Sequence, residues 1–148
     1  MHKLDFEILP HTADIKIRAY GKNKKELFRN ALIGMFQSIH PIIAGCKTEN
    51  NRVVCDALPE HHIIELKASD EESLLVDFLS EVLYLSDVHN EAYLDVTIDE
   101  LTDTSIKATI HGIAVTGFEV VEIKAVTYHE LVIKKDDGGW VAEIVFDI

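Results

Sequence analysis

The stretch Tyr128-His-Glu-Leu-Val-Ile-Lys-Lys-Asp-Asp-Gly-Gly-Trp-Val-Ala-Glu-Ile-Val-Phe-Asp-Ile148 decides the fold class. Tyr128 to Lys134 and Trp140 to Phe146 read as strands, and Asp136-Asp-Gly-Gly139 between them is a strong hairpin signal. A run of antiparallel strands closing the chain argues for α+β rather than a parallel α/β sheet, where strands and helices alternate. Further back, Val120 to Ala125 and Ser105 to Val115 read as strands. Tyr93 to Leu101 alternates, with Tyr93, Asp95, Thr97 and Asp99 opposite Leu94, Val96, Ile98 and Glu100.

Two helices precede this run. Leu27, Phe28, Ala31, Leu32, Met35, Phe36 and Ile39 recur at helical spacing, predicting an amphipathic helix over 24–39 with Asn23 as N-cap and Pro41 as its stop. A second helix is expected over about 70–86. Leu75, Phe78, Leu79, Val82, Leu83 and Leu85 supply its apolar face, and Ser69-Asp-Glu-Glu72 reads as a capping box with Ser69 as N-cap. Leu4 to Leu9 is a short strand stopped by Pro10. Asp14 to Tyr20 is a half-buried strand, with Ile15, Ile17 and Ala19 on one face and Lys16, Arg18 and Tyr20 on the other. Arg52 to Ala57 and Ile63 to Ala68 read as strands around a Leu58–His62 turn. The expectation is one compact α+β domain over 1–148, predominantly antiparallel, with two main amphipathic helices. The acidic stretch from about 42 to 103 is the candidate for an inserted lobe.

Hydrophobic residues make up 47% of the 148 positions and charged residues 27%, as in an ordinary globular protein. The net charge of −12 is uneven. Residues 56–103 hold fourteen acids against the single Lys67, whereas residues 1–55 carry +4. So acidic a chain lacks the clustered Lys and Arg that bare nucleic acid requires. The acidic block suits a basic partner, or a solvated surface. No apolar run reaches membrane-spanning length, and Met1-His-Lys-Leu-Asp-Phe-Glu7 has none of the regions of a signal peptide, so a cytoplasmic protein is expected. Cys46 and Cys55 match neither a zinc motif nor a disulfide scaffold. They read as reduced and structural, with a disulfide as the alternative.

Nucleotide-binding glycine loops, His-Glu-x-x-His and Gly-x-Ser-x-Gly are all absent. The chemistry worth weighing lies at the ends. Asp147 and the apolar Ile148 follow a strand, and Asp14 precedes one. If those strands lie together, Asp14, Asp147 and the main-chain oxygens of Ile148 form an oxygen-rich site of the kind hard cations take. Read from spacing alone, both acids are better explained as solvated surface residues, because carboxylates are mostly exposed. His11, three positions before Asp14, and His129 are candidate partners of such a site or ordinary packed histidines. His61 and His62 are adjacent, so their side chains point apart and chelate poorly.

Taken together, these pieces resemble the archease family. The matching segments are His11-Thr-Ala-Asp14 and the strand through Ala19-Tyr-Gly21, then Glu26-Leu-Phe28 and Gly34-Met-Phe36 on the first helix. Leu75-Val76 and Glu81-Val-Leu-Tyr-Leu85 follow on the second, then Lys124-Ala-Val-Thr-Tyr-His129, Gly139-Trp140 and Asp147-Ile148. They occur in family order across nearly the whole chain. Phe78 stands where tryptophan is expected and Ser80 where Asn or Asp is usual. The resemblance implies an activator, not an enzyme. It implies a partner of the RtcB-type RNA-splicing ligase, which joins tRNA halves through a GTP-derived guanylylated histidine. Such an activator promotes guanylylation and multiple turnover, and meets tRNA only through the ligase. It also implies a divalent metal held by Asp14, Asp147 and Ile148, calcium being the usual occupant, with Mg²⁺ and Mn²⁺ as alternatives. Two other readings are an acidic chaperone or adaptor with no use for metal, and a metal-dependent phosphoester hydrolase using His11 or His129 as base.

Overall fold

The computed structural model describes residues 4–148. The chain runs β1 (Phe6–Leu9), β2 (Ile15–Gly21), α1 (Lys24–Ile39), β3 (Pro41–Ile42), β4 (Lys47–Glu49), β5 (Arg52–Val54), β6 (Glu60–Lys67) and α2 (Glu71–His89). It continues with β7 (Glu91–Leu101), β8 (Ser105–Ala114), β9 (Gly117–Phe118), β10 (Ala125–Val126), β11 (Val132–Asp136) and β12 (Gly139–Asp147). Every strand pair is antiparallel. The architecture is the expected α+β, with two helices.

The main sheet has the order β1-β2-β12-β10, and β11 also pairs with β12. Its central pair joins a strand near the start of the chain to the last one. Ile17 and Ala19 on β2, with Ala142, Ile144 and Phe146 on β12, are fully buried and join the core. The alternate residues of β2 form a charged ladder on the opposite face. Arg18 lies across from Glu7 on one side and Glu143 on the other, and its Nε donates to Glu143 Oε2 at 2.9 Å. Burial alone would raise the Glu143 carboxyl. The hydrogen bond and charge of Arg18, together with Lys16, outweigh it and hold the group below its ordinary value.

A second sheet, β6-β8-β7, packs with the helices against the same core. Phe36 of α1 meets the Tyr93 ring edge-on at 5.8 Å, and Phe28 meets Phe78 of α2 at 5.9 Å. Each fully buried ring of this kind stabilises the fold by roughly 1.5–3 kcal/mol. The stretch from about 42 to 103 thus contributes Leu74, Phe78 and Tyr93 to the hydrophobic cluster that holds Ile17 and Ile144. Its charge is partly met from the basic first third of the chain. Lys24 pairs with Glu71 and Asp103, and Arg29 with Asp95.

Several local expectations need correction. The first helix starts and stops as read, capped by Asn23, whose side chain accepts from Glu26 N. The second is capped by Asp70, not Ser69, because Asp70 accepts from Ser73 N, and it continues to His89. Glu60, His61 and His62 belong to β6 rather than to a turn. Their predicted divergence stands: His61 faces His111, and His62 faces Glu91. Of the strand expected over 120–125, only Ala125 is in a strand. Tyr128–Leu131 is a turn closed by Leu131 N donating to Tyr128 O, so β11 begins only at Val132.

Cys46 and Cys55 form a disulfide, against the expectation of reduced thiols. The reason is the β4–β5 hairpin. Lys47 pairs with Val54, so the two flanking cysteines fall opposite each other. The buried Gln37 side chain of α1 fastens this hairpin to the core, donating to Val53 O at 2.9 Å and accepting from Val53 N at 2.8 Å.

Candidate metal centre

Pairing of β2 with β12 runs from Trp140 opposite Gly21 to Phe146 opposite Ile15. That register leaves Asp14, at the entry to β2, and Asp147, at the end of β12, at the same end of two paired strands. On its other side Asp147 lies across from Ala125, and its carbonyl accepts from Lys124 N at 2.7 Å. The backbone of Asp147 is therefore held from the β10 side, while the side chain is exposed. The Ile148 side chain packs against the core.

Asp14 is delivered by the short loop after Pro10. Ala13 there takes a positive φ of 65°, unusual for a residue with a Cβ. Half-buried His11 lies over the acid, its Nδ1 3.8 Å from Asp14 Oδ2. That nitrogen is buried and has no hydrogen-bond partner. On its other edge, His11 Nε2 lies 2.7 Å from Glu130 Oε2. Lys16 Nζ sits 3.6 Å from Glu130 Oε1 and 3.4 Å from Glu143. The His11 hydrogen bond, foremost, holds the Glu130 carboxyl below its ordinary range, with Lys16 adding to it. Among the described residues, no lysine or arginine forms an ion pair with Asp14 or Asp147. Two carboxylates at neighbouring strand ends, with no lysine or arginine paired to either, fit a hard divalent cation.

Glu130 was missed by sequence reasoning. A strand through Tyr128-His-Glu130 would send His129 and Glu130 to opposite faces. Instead they sit in a turn, where Glu130 adopts φ 55° and both side chains reach the His11 loop. Of the other described histidines, His61 pairs with His111 and His62 stacks on His89, around the second sheet and the end of α2, while His40 caps α1.

The model of the Archease protein family matches residues 6–148. The chain is 39% identical over 151 residues to protein archease of Methanosarcina barkeri, covering 97% of this chain and 95% of that one. It is 41% identical over 152 residues to protein archease of Methanosarcina acetivorans, with the same coverage. Among solved structures, it resembles protein 1598 of Methanobacterium thermoautotrophicum with a TM-score of 0.67 and 30% identity, over 97% of this chain and 99% of that one. An archease of Thermotoga maritima, described as a possible chaperone, shares the fold over the full length of both chains with a TM-score of 0.60 and 21% identity.

Proposed function

Because this chain belongs to the archease family, we propose that it activates an RtcB-type RNA-splicing ligase, promoting GTP-dependent guanylylation and multiple turnover in tRNA splicing. It is a protein cofactor rather than an enzyme, and it meets tRNA through the ligase. The observation that supports this most is the pair Asp14 and Asp147, at neighbouring strand ends with no lysine or arginine paired to either among the described residues.

In this reading Asp14 and Asp147 hold a divalent cation, Ca²⁺ first, through their carboxylates, and Ile148 adds a main-chain oxygen. A cation so held neutralises phosphate charge during nucleotidyl transfer. The contributions of the chain's own residues are positional. Lys124 N fixes the backbone of Asp147, the packed Ile148 side chain fixes the end of the strand, and His11 lies over Asp14. Exposed acids such as Asp77 and Asp87 on α2 suit a ligase that must itself be basic to hold RNA. No helix is long and apolar enough to cross a membrane.

The test is ligation with RNA in excess over an RtcB-type ligase from the same source, with and without this protein. The native protein is expected to raise turnover and Asp14→Asn to fail. Equal stimulation by both would reject the metal centre. No stimulation by the native protein would reject the activator reading in favour of a metal-free adaptor.

A further inference from the structure

We propose that His11, His129 and Glu130 form a second metal site beside the first, one that takes a borderline divalent cation such as Zn²⁺ or Co²⁺ through two imidazoles and a carboxylate. One ring nitrogen from each histidine and one oxygen of Glu130 lie within 4.8 Å of one another. Glu130 Oε2 is the common point, 2.7 Å from His11 Nε2 and 3.4 Å from His129 Nε2. Ligand atoms on one tetrahedral zinc ion stand about 3.3 Å apart, so small side-chain adjustments admit an ion. Among the described residues Lys16 is the one lysine or arginine paired with Glu130, and it meets the other oxygen, Oε1, while also pairing with Glu143. Oε2 is left facing both rings.

The ligand set distinguishes this site from its neighbour. Asp14, Asp147 and Ile148 offer only oxygen, which suits calcium or magnesium. Two imidazoles with one carboxylate favour transition metals and zinc instead. The three residues come from two loops brought together by the sheet, the one entering β2 and the Tyr128–Leu131 turn between β10 and β11.

His11 supplies the second, independent sign. A histidine that binds metal through Nε2 carries its proton on Nδ1, and such a proton is nearly always given to a carboxylate or carbonyl. Here Nδ1 is buried, lacks a partner and lies 3.8 Å from Asp14 Oδ2. A shift of under about 1 Å closes that hydrogen bond. Asp14 then serves as ligand of the oxygen site and as orienting partner of the nitrogen site. Three protein ligands on a tetrahedral ion leave a fourth position to solvent, consistent with the exposure of His129 and Glu130.

The site is read on the isolated protein, so its fate is independent of the activator reading. Co²⁺ titrated into the full chain reports its ligand geometry through its visible absorption, and Ca²⁺ binding is followed separately by calorimetry. One tightly bound Co²⁺ per chain is expected. His129→Ala or Glu130→Gln should each weaken it about tenfold or more, with Ca²⁺ binding unchanged. Asp147→Asn should abolish Ca²⁺ binding and leave Co²⁺ in place. His129 and Glu130 are exposed, and circular dichroism checks that each variant is folded. The proposal falls if Co²⁺ does not bind, or if it binds His129→Ala as tightly as the native chain. It falls equally if only His111→Ala removes Co²⁺, which would assign the ion to the His61–His111 pair, or if Asp147→Asn removes both ions.

Discussion

Asp14 and Asp147 stand at the first positions beyond the paired ends of β2 and β12, one step past Ile15 opposite Phe146. The pairing that builds the core therefore also sets two carboxylates at neighbouring strand ends. A cation that binds only the folded chain stabilises it by about 2.7 kcal/mol at a hundred times its Kd. Saturating calcium should therefore raise the melting temperature of the native chain. Asp147→Asn should lose that rise. An equal calcium-induced rise in the variant would contradict the assignment.

Gln37 is the buried tie between α1 and the β4–β5 hairpin, bonded to both polar groups of Val53. Gln37→Leu keeps the volume roughly constant but strips both partners from a buried backbone. The expected cost is on the order of 2–6 kcal/mol in urea unfolding, since each of the two unsatisfied groups costs about 1–3 kcal/mol.

The hairpin also carries the disulfide between Cys46 and Cys55, nine positions apart in sequence. Closing so short a loop constrains the unfolded chain by about 2.5 kcal/mol. Replacing both cysteines by serine should lower stability by about that amount under oxidising conditions. With reductant present, native and variant chains should converge.

Glu91 gives a pH dependence of known sign. Its carboxylate is buried, and burial alone would raise its pKa. Bonds from the His62 ring at 2.7 Å and the Tyr93 hydroxyl at 2.7 Å outweigh this and hold it below 4.5. A group depressed on folding contributes stability that is present above its unfolded pKa and lost as pH falls through the folded value. Stability should therefore decline below pH 4.5. Glu91→Gln should flatten part of that decline and cost about 1–3 kcal/mol near neutrality. Urea unfolding from pH 7 downward, for both chains, measures it.

Gly139 adopts φ +124°, and a Cβ there would come within 2.4 Å of Gly21 O. The turn into β12 and the close approach of β2 both depend on it. Gly139→Ala should destabilise by about 2 kcal/mol or more, seen as a lowered melting temperature.

Periodicity sufficed where one face of an element meets the core. The span of α1, the two faces of β2 and the final hairpin follow from residues within one turn or one pleat of each other, because burial selects side chains at a period of 3.6 or 2. Asp14 and Asp147 were legible for a related reason, since each abuts a strand whose alternation is clear. The short strands β3, β4 and β9 escaped notice. Two or three residues carry no period, and their pairing is decided by what lies across from them.

What the sequence determined by itself was thus local: the type of the long elements, the α+β class, the acidic imbalance and the acids at the strand ends. The tertiary structure alone decided what depends on distant residues meeting. The register of β2 on β12 put Asp147 and Asp14 at the same end of two paired strands. The β4–β5 hairpin turned two ordinary cysteines into a bridge. The left-handed turn at Glu130 carried that side chain to His11, 119 positions away in the chain. Side-chain spacing encodes which face is buried, but only closure of the sheet fixes which two faces touch.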